Sequence, residues 1–171
     1  MLVVYCGDTQ SMFAHAVPRK GVDTEGYIVE QLVQDVLWLG HPKIIIRSDN
    51  EPAIIALKQA VKVERPEEII MEESLVGESA SNGEVENAIK QVEGQFRAIK
   101  SSLEERLGRK LSREHMAVPW LIRHAAEVID RYAIGADGRT NYQRRKGKRF
   151  GGQMVEFGES IMFLRAKSVG R

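Results

Sequence analysis

The spacing of hydrophobic residues predicts strands and helices in alternation along most of the chain. Two short apolar runs, at 2–6 and 12–17, are separated by the polar tetrapeptide at 7–10, so this segment is predicted to form a hairpin. From 25 to 39, apolar residues recur at helical spacing, and Gly40 stands where a C-terminal cap belongs. A helix is therefore expected to follow the hairpin.

The next segment predicts the middle of a sheet. Residues 43–47 include three consecutive isoleucines, so this strand is apolar on both faces and is expected to be a central strand covered on both sides. Pro52 suits the first turn of a helix that continues through Val61, and a short strand is predicted at 68–71. Asp49 follows the isoleucine strand and is expected at its carboxyl end.

The second half of the chain predicts two helices and a hairpin. From Val85 to Leu107, apolar residues recur at alternating steps of four and three, which is typical of one long helix. A second helix is predicted at 118–132, followed by a basic loop and a hairpin with arms at 155–157 and 161–164. The order of elements predicts an α/β fold in which helices cover both faces of a mixed sheet.

Length and composition narrow the class of protein. The 171 residues suffice for one domain with a buried core, and no apolar run approaches the roughly 18 to 20 residues of a membrane span. The first residues lack the basic stretch of a secretory signal. With Cys6 as the one cysteine and four scattered histidines, neither an internal disulfide nor a multi-cysteine zinc site is expected. We therefore expect a soluble protein with no membrane partner.

Positive charge is concentrated near the end of the chain, although the formal net charge is only +1. This run holds six basic residues and no acidic one: Arg139, Arg144, Arg145, Lys146, Lys148 and Arg149. It could contact phosphates, or it could be a solvated loop, and charge alone leaves both readings open.

Two carboxylates stand where an α/β fold could use them. Asp49 lies at a strand end, where open sheets usually bind ligands, but it could instead cap the helix that starts near Pro52. Ser81 and Glu84 fit a capping box at the start of the long helix. Glu86 has no such role, and the alternative for it is a solvated residue favoured by the helix dipole.

These motifs resemble a known family. The sequences RSDNEPAI and SASNGEVENAIKQVEGQFRAIK resemble the integrase catalytic core of retroviruses and, more closely, the Pol polyprotein integrase of Ty1/copia-like retrotransposons. In that family an Asp-Asn pair after a buried strand precedes a Ser-x-Gly-x-Val-Glu helix start, and the 36 residues between Asp49 and Glu86 are close to the usual gap. VPRKG, TNYQRRKGKRF and VEFGES follow in the family's order, so the resemblance covers nearly the whole chain.

The resemblance implies a ribonuclease H-like mixed sheet flanked by helices. It assigns 1–135 to the catalytic core, 136–150 to a basic linker, and 151–171 to the start of a small β module. The family's first strand, with its catalytic aspartate, would precede the strand at 2–6 and is expected to be missing. Asp8, in the turn after that strand, is not expected to replace it.

The implied activity is metal-dependent DNA nicking and strand transfer in DNA integration. Two Mg²⁺ or Mn²⁺ ions, about 3.5 to 4 Å apart, would stabilise the attacking and leaving oxygens, held by carboxylates that include Asp49 and Glu86. With one carboxylate missing, the chain is expected to be inactive. The resemblance implies DNA as partner, both element ends and target, and a homo-oligomer inside the cell, in the nucleus if it acts on host chromosomes. The predicted DNA contacts are Asn82, Lys90, Arg97, Arg144, Arg145 and Lys146.

Other functions stay open at this stage. The basic side of the long helix could be a solvated face, with Arg97 and Lys100 paired to Glu93 and Glu104. The chain could also be a cut-and-paste or insertion-sequence transposase core, or a non-catalytic nucleic-acid-binding or self-associating remnant. An aspartate on a preceding strand would favour an enzyme.

Overall fold

A computed structural model describes residues 1–65, 69–73 and 79–162. It contains each strand and helix predicted from hydrophobic spacing up to residue 132, and α4 has the predicted bounds. The α/β class is confirmed. In chain order the elements are β1 (Leu2–Tyr5), β2 (Met12–His15), α1 (Tyr27–Leu39), β3 (Ile44–Ser48), α2 (Pro52–Glu64), β4 (Ile69–Glu73), α3 (Ser79–Leu107), α4 (Val118–Tyr132) and α5 (Asn141–Lys146).

Local interactions fix both ends of α1. The Asp23 carboxylate accepts hydrogen bonds from the backbone N–H groups of Tyr27 and Ile28, both at 2.9 Å, and so satisfies donors that have no partner inside the helix. At the other end Gly40 adopts φ 73°, a left-handed conformation that suits glycine, and its N–H donates to the Val36 carbonyl. The predicted cap at Gly40 is confirmed.

The described strands form two small sheets and not one mixed sheet. β1 pairs antiparallel with β2, and β3 pairs parallel with β4. Ile45 and its cross-strand partner Ile70 are 57% and 42% exposed, because α2 packs on the opposite face of this sheet. The prediction of a central strand covered on both sides is therefore wrong for the described residues. A run of isoleucines indicates a strand but cannot show what covers it.

Two apolar clusters form most of the core, and β1 lies between them. One cluster joins β2, α3 and α4 around Val92 and Ala125, and Val3 and Tyr5 of β1 pack against it. The other joins α1, α2, β3 and β4, and it receives Leu2 from the opposite face of β1. Successive residues of a strand point to opposite faces, which explains this division. β1 therefore has apolar contacts on both faces.

The chain after α4 differs from the prediction. The predicted basic loop contains the short helix α5, whose N-cap Thr140 accepts a hydrogen bond from the Gln143 N–H. The predicted first arm at 155–157 is not a strand: Phe157 lies in a turn and packs beside the cluster of Leu103, Leu111 and Leu121. The second arm falls partly outside the described residues. No helix in the described part of the chain is both long and apolar enough to cross a membrane.

Candidate carboxylate site and nucleic-acid interface

Asp49 is exposed at the junction between β3 and α2. The N-cap of α2 is Glu51, and no side chain caps this helix, so Asp49 does not have the structural role that competed with a functional one. Lys20 donates a 2.9 Å hydrogen bond to Glu51, which raises the pKa of Lys20, and the charge of Asp49 adds to that shift. The Asp49 carboxylate thus faces solvent close to one lysine.

The start of α3 places its two glutamates on different sides. The helix begins at Ser79, so Ser81 lies inside it and the predicted capping box is wrong. Glu84 leans toward the end of β1, since a Cβ added to Gly7 would lie 3.8 Å from its carboxylate oxygen. Residues of a helix are about 100° apart around its axis, so Glu84 and Glu86 lie on opposite flanks of Val85. The prediction that Glu84 points into a cap is also wrong, because Ser81 is not the N-cap of α3.

Glu86 is exposed, and no hydrogen bond or ion pair joins it to a residue in the described ranges. Val85 beside it and Ser48 beside Asp49 line one groove between β1 and β3. The structure describes no contact between the carboxylates of Asp49 and Glu86, and their pairing stays a prediction.

Both carboxylates offer the hard oxygen atoms that Mg²⁺ and Mn²⁺ prefer. A third ligand is not supplied, since no group of three or more His, Cys, Asp or Glu residues able to hold a metal forms among the described residues. The carboxylate of Asp8 lies 3.7 Å from the ring of His41, and His41 precedes β3. Asp49 follows the opposite end of that strand. Five residues of strand span roughly 16 Å, too far for Asp8 and Asp49 to share one metal pair. Within the described ranges, the residues therefore do not complete a metal site.

The basic residues of α3 divide into paired and unpaired ones. Arg97 lies 3.6 Å from Glu93, and Lys100 lies 2.5 Å from Glu104, so both residues form the ion pairs that the alternative reading expected. Lys90 is exposed and forms no ion pair with any residue that the structure describes. The side chain of Asn82 lies outside the described atoms. Lys90 is therefore the α3 cation most available to a phosphate.

Arg144 has a structural role that its position in the basic run did not indicate. Its guanidinium donates to both carboxylate oxygens of Asp137, at 3.0 and 2.5 Å, and to the side-chain oxygen of Asn141 at 2.7 Å. These hydrogen bonds hold the pKa of Asp137 below its usual value, and the Arg144 side chain is only 11% exposed. Arg144 was predicted to contact DNA, but its guanidinium is already hydrogen-bonded to Asp137 and Asn141.

Arg145 also packs against the protein. Its guanidinium lies over the indole ring of Trp38, and it donates a 2.9 Å hydrogen bond to the Trp38 carbonyl, so it joins α5 to the end of α1. Lys146, Lys148 and Arg149 remain exposed. Arg139 is exposed as well, so both ends of the basic run are open to a phosphate and its middle, Arg144 and Arg145, is bound to the protein.

A second set of titratable groups, which the sequence analysis did not single out, lines a cavity of about 780 Å³ between β2, α1, α4 and α5. Burial raises the pKa of Asp130 to about 6, and one of its oxygens accepts hydrogen bonds from the Met12 N–H and the Asn141 amide. His15 and Asp35 form a buried pair at 2.6 Å. The signal that could have revealed Asp130 is its position beside Ile129 on the apolar side of α4.

Two solved structures that contain retroviral integrase domains are similar to this fold. The catalytic core domain of BIV integrase matches with a TM-score of 0.56 and 17% identity, over 85% of this chain and 84% of that one. A chain of the simian T-cell lymphotropic virus intasome, in complex with PP2A regulatory subunit B56 gamma, matches with a TM-score of 0.64 and 16% identity, over 94% of this chain and 53% of that one. This chain therefore spans about half the length of the intasome chain. No family model matches the sequence, and no curated protein matches it significantly. The chain has the ribonuclease H-like fold of retroviral integrase catalytic cores.

Proposed function

We propose that this chain is an integrase-type core that binds DNA and belongs to a DNA-integration system. The observation that carries the proposal is the similarity to the catalytic core of BIV integrase over most of both chains. Fold alone does not determine function, so the residues must support it. Asp49 and Glu86 do so, because both are exposed carboxylates to which the fold assigns no structural role.

The closer kinship that we propose is with Ty1/copia-like retrotransposon integrases. It rests on the sequence motifs around Asp49 and Glu86 and on the GKRF and FGES segments, since the structural matches are to retroviral proteins. A homo-oligomer is part of the same proposal. Sedimentation velocity over a range of protein concentrations tests it, and a monomer at all concentrations would count against it.

Asp49 and Glu86 are proposed as ligands for Mg²⁺ or Mn²⁺. When bound, such ions stabilise charge on the attacking and leaving oxygens of a phosphodiester. Two carboxylates alone are expected to hold a divalent ion weakly, because Mg²⁺ gives up its bound water reluctantly and sites with one or two carboxylates usually rely on substrate phosphates as further ligands. We therefore expect weak metal binding and near-background DNA nicking by this chain.

The proposed DNA contacts follow from exposure. Lys90 on α3 and the exposed end of the basic run, Lys146, Lys148 and Arg149, can reach phosphates without breaking a contact of the fold. Arg97 could leave its exposed pair with Glu93 at little cost. Asn82 stays in the proposal on its sequence match alone. Arg144 and Arg145 would act by shaping α5.

Fluorescence anisotropy with a labelled DNA duplex, measured across a salt series, tests the interface. Replacing Lys146, Lys148 and Arg149 together by alanine should weaken binding and reduce the slope of log affinity against log salt by up to about 2.7, since each phosphate contact contributes about 0.9. The matched control replaces Arg19, Lys43 and Arg113, three exposed basic residues elsewhere. Equal losses in both variants, or a flat salt response in the parent, would overturn the proposed interface.

A second candidate function is a non-catalytic nucleic-acid-binding protein. The observation that favours it is the missing third metal ligand among the described residues. Both candidates predict DNA binding, and only the first predicts that a completed carboxylate set would support cleavage. DNA binding by the parent without any gain of nicking after a third carboxylate is supplied would favour the second candidate.

A further inference from the structure

Lys20 lies beside the candidate carboxylate site, in the loop between β2 and α1. Its Nζ donates a 2.9 Å hydrogen bond to the carboxylate of Glu51, the N-cap of α2. This hydrogen bond raises the pKa of Lys20, and the charge of Asp49, two residues before Glu51, adds to the shift. One lysine therefore faces two carboxylates, Glu51 by direct contact and Asp49 through its charge.

The loop that carries Lys20 is fixed on the start of α2. Gly21 is buried with φ 88°, and a Cβ added to it would lie 3.1 Å from both the Cβ and the carbonyl oxygen of Ala53. The left-handed backbone and the close approach both require glycine. Further along the loop, the Asp23 carboxylate accepts hydrogen bonds from the first backbone N–H groups of α1. Packing therefore sets the position of the Lys20 backbone relative to Asp49.

β3 and α2 each place a basic residue in the groove beside this site, and both are bound to β4. Arg47 is paired with the carboxylate of Glu72. Lys58 is buried, and its Nζ donates to the Glu72 carbonyl, so withdrawing it would break a contact of the core. Lys20 differs from both, because its partner Glu51 can turn back to water.

The ion pair of Lys20 and Glu51 is weak enough to exchange. The two side chains are 71% and 34% exposed. An exposed pair of this kind is favoured over separated side chains by at most about fivefold. A phosphate that replaces the carboxylate releases a counterion from DNA, which favours the new contact roughly 15-fold at about 50 mM salt. A phosphate is therefore the stronger partner for Lys20 at low salt.

We propose that Lys20 is a DNA-phosphate contact beside Asp49 and that Glu51 occupies this lysine when DNA is absent. The Glu51 carboxylate takes the place of a phosphate oxygen and keeps the ammonium at the site. When DNA binds, Lys20 exchanges Glu51 for the phosphate and offsets the repulsion between that phosphate and Asp49. The contact holds a phosphodiester next to the first carboxylate of the candidate site. This inference rests on the proposed DNA binding.

Fluorescence anisotropy of the full chain with a labelled DNA duplex, without divalent metal, tests the contact across a salt series. Lys20→Gln should weaken binding by about threefold to 15-fold at about 50 mM salt and reduce the slope of log affinity against log salt by about 0.9. The matched control, Lys43→Gln, removes an exposed lysine before the opposite end of β3. It should keep the parent slope, because roughly 16 Å of strand separates it from Asp49. Lys20→Arg keeps the charge and should also keep the slope. A slope as low as that of Lys20→Gln would overturn the contact.

A double-mutant cycle tests the exchange itself. Glu51→Gln removes the competing carboxylate and should raise the affinity for DNA by up to about fivefold. Glu25→Gln removes an exposed negative charge from the same loop as Lys20 and is the control for charge alone. In the Lys20→Gln background, Glu51→Gln should have no larger effect than Glu25→Gln, since no lysine is left to release. Equal gains from Glu51→Gln with and without Lys20 would overturn the proposal.

Failure of this proposal is separable from failure of the proposed function. Salt-dependent binding by the parent, with a loss in Lys20→Gln no larger than in Lys43→Gln, would overturn the assignment of Lys20 and leave the proposed function standing. A parent without salt-dependent binding would overturn both.

Discussion

The guanidinium of Arg145 lies over the indole ring of Trp38, with 3.1 Å between its central carbon and the ring centroid. Trp38 is at the end of α1, and Arg145 is 107 residues further along the chain in α5. A residue that the family resemblance assigned to DNA thus joins α5 to the end of α1. Cation–π contacts of this kind are strongest when they are shielded from water.

Arg145→Ala should lower the free energy of unfolding by about 2 kcal/mol, because it removes the stacking contact and leaves the Trp38 carbonyl without its donor. Urea unfolding measures the change. Arg149→Ala, an exposed change of the same type, should stay within about 0.5 kcal/mol of the parent. Equal stability of the Arg145 variant and the parent would show that the contact contributes nothing.

Asp130→Asn should make stability less dependent on pH between about 4 and 6. Burial raises the pKa of Asp130 from 3.8 to about 6 in the folded protein, so the folded state binds more protons than the unfolded state in this interval. Stability from this group is therefore present at pH 4 and lost as the pH rises through 6. The asparagine keeps the acceptor for the Met12 N–H. The variant should match the parent near pH 4 and exceed it at pH 7 by at most about 3 kcal/mol. Thermal unfolding from pH 4 to 8 checks this, and a constant difference would contradict it.

Glu104→Gln should show the opposite pH dependence. Hydrogen bonds from Lys100, from the Leu111 N–H and from Lys110 lower the pKa of Glu104 from 4.5 to about 2. This contribution to stability is present above pH 4.5 and is lost as the pH falls toward 2. The variant should therefore be less stable than the parent at pH 7, and the gap should narrow below pH 4.5. A gap that stays the same down to pH 2.5 would contradict the assignment.

Mg²⁺ should have little effect on the stability of this chain, because Asp49 and Glu86 alone do not complete a site. The midpoint of thermal unfolding should be the same without Mg²⁺ and at Mg²⁺ concentrations raised in tenfold steps. The Asp49→Asn variant should behave in the same way. A large stabilisation by Mg²⁺ that is lost in the Asp49→Asn variant would mean that further ligands complete the site.

Helical periodicity was the most reliable part of the sequence signal. α4 has its predicted bounds because an apolar residue recurs at each turn, as at Leu121 and Ala125. α1 is capped by Gly40 because the cap position needs a left-handed backbone conformation, which glycine adopts readily. α3 begins six residues before Val85, since its first turns carry small and polar residues outside the apolar stripe. Periodicity detects the buried face of a helix and misses ends that lack one.

Tertiary contacts account for what the sequence could not predict. Nothing in the local sequence shows that Arg144 meets Asp137, that Arg145 meets Trp38, or that β3 has one bare face. The sequence of a basic run does not show whether its side chains contact phosphates or pack against an indole ring. For the candidate site, the sequence correctly indicated that Asp49 follows a strand and that Glu86 lies near the start of α3. The distance between them depends on how α3 sits against the two sheets, which neither motif encodes.

DNA nicking in Mg²⁺ tests whether Asp49 and Glu86 belong to an integrase-type metal site, and it is measured for this chain and for an extended version that carries one added strand with a single aspartate before Met1. We expect near-background nicking by the chain itself and an increase of orders of magnitude in the extended version, since a third carboxylate can hold two ions at the separation that in-line displacement needs. Asp49→Asn or Glu86→Gln in the extended version should abolish the gain, whereas Glu84→Gln should retain it. Efficient nicking by the unextended chain, with a metal dependence that disappears in Asp8→Ala, would instead make Asp8 a metal ligand and would overturn the expectation that a third carboxylate is missing.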